Sequence, residues 1–128
     1  VESGAAGLAA TMATEADLAE VQRCYDRLDS VIREQAVGAG EDFDFHLAVA
    51  RASRNQFFIS AIASMQPQVL VSMNLMRSLS LIKSMERQHL VQAEHALVLD
   101  ALRRKDAAGA GSAMRLHLEN ARNRMFGQ

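Results

Sequence analysis

Apolar positions recur along the chain at alternating three- and four-residue steps, the spacing of a helix that buries one face. The clearest run is Leu18, Val21, Tyr25, Leu28 and Ile32. Thr14 precedes it as an N-cap, with the acids Glu15 and Asp17 in the first turn. This helix is expected to end near Val37, where Gly38-Ala39-Gly40 breaks it. Before it, the Ala- and Gly-rich stretch from Val1 to Met12 reads as a short or frayed helix. A third helix is expected from about Glu41 to Ser53, closed by Arg54-Asn55, and Asn55 is placed to cap a fourth helix beginning at Phe57. Pro67 removes a backbone donor and is expected to kink or interrupt that helix, whose apolar face continues through Val69, Leu70, Met73 and Met76. A long helix then covers roughly Ile82 to Lys105, and Asp106 caps a last one passing Met114, Leu118 and Met125. No strand-like alternation and no internal repeat is present. The pattern predicts an all-α fold, an antiparallel bundle of six or so helices with short connections.

Composition supports this reading and narrows the function. In a chain of 128 residues, 49% are apolar and 23% charged, with a single Pro, which suits one globular domain with a helical core. Aromatics make up 5%, so the core rests on Leu, Ala, Val, Ile and seven Met. The 14 basic and 15 acidic residues give a formal net charge of −1, which offers no basic field for nucleic acid. Cys24 is the only cysteine, so no internal disulfide can form. No apolar stretch is long enough to span a membrane, and the cytoplasm is the expected compartment.

The candidate chemistry lies in Asp42, His46, His95 and His117. Asp42 and His46 are four apart on one predicted helix, so a hard oxygen and an imidazole nitrogen leave the same face one turn apart. His95 and His117 lie on successive helices, equidistant from the expected turn at residue 106. In an antiparallel hairpin both sit about 16 Å from that turn, at ~1.5 Å per residue, and therefore at one level. Each falls in an apolar stripe, His95 with Leu99 and Leu102, His117 with Ala113 and Met114. Two ordinary readings stand beside a metal site: hydrogen-bonded core histidines, and a surface Asp–His pair of small energetic weight. His89 falls on a different face from His95 and reads as a surface or partner-facing residue. Glu94 is expected to point about 100° away from His95. Arg77 is a candidate clamp for an acidic ligand, and Gln92, three before His95, a candidate to reach the same cavity. Arg103, Arg104 and Lys105 are accounted for by the dipole at a helix C-terminus.

The run Asp42-Phe43-Asp44-Phe45-His46-Leu47-Ala48-Val49-Ala50, with Ala52-Ser53-Arg54-Asn55 after it, resembles the C-terminal effector domain (FCD domain) of FadR-type regulators in the GntR superfamily. So do the blocks Glu94–Leu102 and Asp106–Leu118. The resemblance covers nearly the whole chain and implies a single effector-binding, dimerising domain over residues 1–128. It implies an antiparallel helical bundle with an internal cavity for a small effector. In the family's metal-binding branch, the positions matching Asp42, His46, His95 and His117 hold a divalent cation at the cavity floor. It further implies a homodimer, and DNA binding through an N-terminal winged helix-turn-helix domain that this chain lacks, as if it were cut from something longer. Zn²⁺, Ni²⁺ or Mn²⁺ would suit such a ligand set, and a small carboxylate would suit positions left open on the ion. A metal-dependent hydrolase with a His₃Asp site and a purely structural dimerisation bundle are the competing readings.

Overall fold

The computed structural model describes residues 1–34, 38–71 and 81–125. Six helices are delimited: α1 (Glu2–Met12), α2 (Glu15–Arg33), α3 (Ala39–Ala52), α4 (Gln56–Ala63), α5 (Leu81–Arg103) and α6 (Ala107–Met125). Residues 66–71 are also helical, and no strand occurs among the described residues. The fold is an all-α bundle, as the periodicity predicts.

The caps fall where polar residues interrupt the apolar pattern. Thr14 accepts from the Asp17 backbone N–H while the Asp17 carboxylate accepts from the Thr14 N–H, a reciprocal capping box. Asn55 accepts from the backbone of Phe57 and Phe58, and Asp106 from that of Gly109. Pro67 lies in the first turn of the helical stretch 66–71, after a break at Ser64–Met65. An N-terminal turn is where a missing N–H costs least, so the chain interrupts its helix there rather than bending through it.

α1 is the short helix expected over this stretch, and it does not fray because its small residues are its packing surface: Ala5, Ala6, Ala9 and Ala10 are all buried. A Cβ added at Gly7 would come within 3.3 Å of the Ala107 carbonyl, so α1 and α6 approach closely on small side chains. α2 ends at Arg33, earlier than expected, and Val37 lies outside the described residues. Gly38 is the N-cap of α3, and Ala39 and Gly40 form its first turn instead of breaking a helix. Burial of Ala39 offsets the weak helix propensity of that turn.

α3 is the middle of the molecule, in contact with α1, α2 and α4. Its Asp42, Phe43, Phe45, Ala48, Val49, Ala50 and Ala52 are buried, nearly all the way round the helix. Phe45, Ala48, Val49 and Ala52 join Val21, Cys24, Val98, Leu102, Ala110 and Met114 in the main core. Phe43 and Ala50 pack on its other side with Ala5 and Ile62. α5 and α6 form the antiparallel hairpin, turning through Lys105, whose φ is 56°. None of the described helices is long and apolar enough to cross a membrane.

Candidate functional site: a buried imidazole cluster beneath a cavity

The hairpin brings His95 and His117 to one level, and α3 presents His46 between them. The three Nε2 atoms lie 3.2 Å (His95–His117), 3.3 Å (His46–His95) and 3.3 Å (His46–His117) apart. Asp42 joins from the turn before His46, its Oδ1 3.2 Å from His46 Nε2 and 3.5 Å from His95 Nε2. All four residues predicted from the sequence therefore converge. His95 is fully buried, His117 and Asp42 nearly so, and Phe45 stacks on the His95 ring at 4.3 Å between centroids.

Each imidazole is held from behind by an oxygen. His46 Nδ1 is 2.5 Å from Glu2 Oε1, His95 Nδ1 is 3.1 Å from Gln92 Oε1, and His117 Nδ1 is 2.7 Å from Glu94 Oε1. The Gln92 amide orientation follows from its other end, since its Nε2 donates to the Tyr25 carbonyl and the Asp29 carboxylate. Three acceptors behind three rings favour a proton on each Nδ1 and turn the three Nε2 atoms toward one another, and with no ion between them His46 carries a second proton on its Nε2. Such a cluster requires positive charge at its centre. Burial alone would lower the pKa of His46, but the Glu2 and Asp42 carboxylates outweigh it and push it up to about 10. His117 moves the other way, lowered by burial and by the charge on His46. Glu2 is lowered as well: burial opposes ionisation, and His46 more than compensates.

Glu94 ties the cluster to the end of α6. It accepts from both terminal nitrogens of Arg124 at 2.8 and 3.0 Å and from Asn120 at 2.8 Å, as well as facing His117. Burial raises its pKa and these donors lower it further than burial raises it. It does point away from His95, as expected, but its target is the His117 ring. Because it faces Nδ1 rather than the Nε2 side, it is no general base for a molecule in the cluster. The hairpin symmetry that pairs 95 with 117 pairs 94 with 117 almost as well, and that was the available signal. Glu2 had none, being one acid on a helix that reads as frayed.

The cluster floors a cavity of about 300 Å³. Asp42, His46, His117 and Glu2 line its base, Ile62, Val69, Val91 and Leu118 its apolar walls, and Arg87, Gln88 and Arg124 add polar groups. Gln92 stands behind His95 and is not among the lining residues. Arg77 lies outside the described residues. His89 is exposed, as its helical position predicts.

Fold and site together define an all-helical bundle with a buried imidazole–carboxylate cluster under a small internal cavity. Comparison with known proteins places that class in a family. The FCD domain family matches residues 1–120. The chain is 31% identical over 127 residues to the HTH-type transcriptional regulator LutR of Bacillus subtilis (strain 168), covering 99% of this chain and 58% of that protein. It is 31% identical over 129 residues to the Uxu operon transcriptional regulator of Escherichia coli (strain K12), covering 98% and 50%. To the Glc operon transcriptional activator of the same organism it is 25% identical over 134 residues, covering 98% and 51%. The chain belongs to the FCD domain family, as its resemblance to GntR-type regulators implies. It spans about half the length of these relatives. They are named as transcriptional regulators.

Proposed function

We propose that this chain is the effector-sensing part of a bacterial transcription regulator, that His46, His95, His117 and Asp42 hold a divalent metal, and that the cavity above them takes a small carboxylate. The observation that carries the metal is the set of three Nε2 atoms turned inward by acceptors behind each ring. The circle through three points so spaced has a radius of about 1.9 Å, just inside the ~2.0–2.1 Å of a metal–imidazole bond, so an ion fits slightly off their plane. Three imidazoles and one carboxylate suit Zn²⁺, Ni²⁺ or Mn²⁺. When bound, the ion supplies a Lewis-acidic floor that attracts oxygen ligands. The chain's own residues do the rest. Glu2, Gln92 and Glu94 hold the rings, and apolar walls exclude water.

A ligand bound between α3, α5 and α6 would favour one arrangement of the bundle and so bias the remainder of the regulator, including a DNA-binding domain outside this chain. Such a protein acts where DNA is, in the bacterial cytoplasm. Metal analysis of the purified protein tests the reading. His95→Ala and His117→Ala are each expected to lower metal content and affinity at least tenfold while leaving the chain helical. Unchanged metal content in both variants overturns the assignment.

A further inference from the structure

α1 is joined to the bundle in two unlike ways. Its inner face is built from Ala5, Ala6, Ala9 and Ala10, all buried. A Cβ added at Gly4 would come within 3.2 Å of the Phe58 ring, and one at Gly7 within 3.3 Å of the Ala107 carbonyl, so α1 stays small where α4 and α6 approach it. Methyl packing is short-range and non-directional. Such a surface fixes how near α1 comes, and only weakly its rotation and register. Beside it stands one directional contact. Among the described residues, the bond from His46 Nδ1 to Glu2 Oε1 at 2.5 Å is the only side-chain hydrogen bond between α1 and another helix.

His46 also differs from the other two rings in the origin of its acceptor. Gln92 stands on the helix of His95 itself, and Glu94 on the hairpin strut facing His117, each anchored by further groups. Glu2 reaches His46 across 44 positions of sequence, from a helix that carries none of the three rings. Among the described residues its carboxylate accepts no other hydrogen bond. Its position therefore follows the seating of α1.

We propose that Glu2 is a positioning residue that couples α1 to the imidazole cluster. α1, seated on its small residues, supplies the oxygen that orients His46, and metal binding at His46 in turn holds α1 in register. The coupling is reciprocal: what α1 adds to metal affinity, the metal adds to the seating of α1. It rests on the proposed metal reading, and the test separates the two ideas.

Zn²⁺ alone is the probe, on the full chain. Amide hydrogen exchange is followed with and without Zn²⁺, and affinity is read by chelator competition. In the parent, Zn²⁺ is expected to slow exchange in α1 at least tenfold, together with α3, α5 and α6. Glu2→Ala should lower affinity about 10–100-fold. At saturating Zn²⁺ its α3, α5 and α6 should still be protected while α1 no longer responds. Glu2→Gln keeps an acceptor for the Nδ1–H and should restore part of both effects. Gly7→Leu lifts α1 off α6 without touching the cluster and should lower affinity comparably. Combined with Glu2→Ala it should cost little more, since both withdraw the same oxygen. If Gly7→Leu does not fold, the Ala and Gln variants at position 2 decide. Parent affinity in Glu2→Ala, undiminished protection of its α1, or additive losses in the double variant overturn the coupling and leave the metal reading standing. If the parent binds no Zn²⁺, or His95→Ala binds it as tightly as the parent, both fall.

Discussion

Glu2, Gln92 and Glu94 each put an oxygen on the Nδ1 of one histidine, yet they differ in what stands behind them. Gln92 is locked by Tyr25 and Asp29, and Glu94 by Arg124 and Asn120. Carboxylates behind a ligating imidazole fix its orientation and raise its basicity, and losing one typically costs 10–100-fold in metal affinity. Glu94→Ala is expected to lower affinity by about that factor in a chelator competition. It should also destabilise the fold by roughly 3 kcal/mol, because Arg124, largely buried, loses its partner. Parent affinity in that variant would show that Glu94 serves α6 packing alone.

Helix ends carry much of the local specification. The Thr14–Asp17 box is reinforced from a distance, since Arg54 donates to both Asp17 oxygens at 3.0 and 3.3 Å and ties α2 to the end of α3. Burial is the largest single influence on Asp17 and opposes its ionisation, but the hydrogen bonds from Thr14 and Arg54 together outweigh it and lower the pKa below 3.8. The folded state then binds fewer protons at this site than the unfolded chain. The contribution is present above pH 3.8 and is lost as pH falls through the folded value. Melts between pH 5 and pH 2 should show the parent losing more stability than Asp17→Asn, and parallel curves would refute the linkage. Lys105 holds φ at 56° where the hairpin turns, a conformation an L side chain adopts at a cost. Lys105→Gly is expected to stabilise by roughly 0.5–1 kcal/mol, read as a higher Tm, and a lower Tm would mean the Lys side chain contributes more than the strain costs.

For the whole molecule, the surface left over matters as much as the core. Leu90 and Leu97 lie seven residues apart on the outer face of α5, 56% and 57% exposed, and Leu116 on α6 is 51% exposed. We expect these helices to form the seam of a homodimer, with a small effector and DNA as the other partners. Light scattering on the chain should report a dimer, and Leu97→Glu should yield a monomer of unchanged helicity. A monomeric parent would remove the dimer. With net charge −1 the chain itself should bind no DNA specifically, whereas a protein carrying an added winged helix domain should bind an operator in an acid-dependent way.

Periodicity and capping are local properties of a helix, and they were readable along the chain. Leu18 to Ile32 define one face, Thr14, Asn55 and Asp106 mark three starts, and residues equidistant from position 106 must meet if the hairpin closes. Those facts suffice for the all-α class and for the convergence of His95 and His117. Asp42 and His46 needed only helical spacing to share a face. What they face depended on α3 being enclosed by α1, α2 and α4, which no one-dimensional stripe announces when nearly every side is buried. The same limit hid Glu2, Glu94, Arg87 and Gln88. On α5 the inward row mixes polar and apolar residues (Gln88, Val91, Gln92, His95, Val98), while Leu90 and Leu97 face outward, so hydrophobicity alone misassigns the faces. Which polar residue turns inward is decided by the packing of one helix against others, because a buried polar group is stable only where a partner from another element, or a ligand, can meet it.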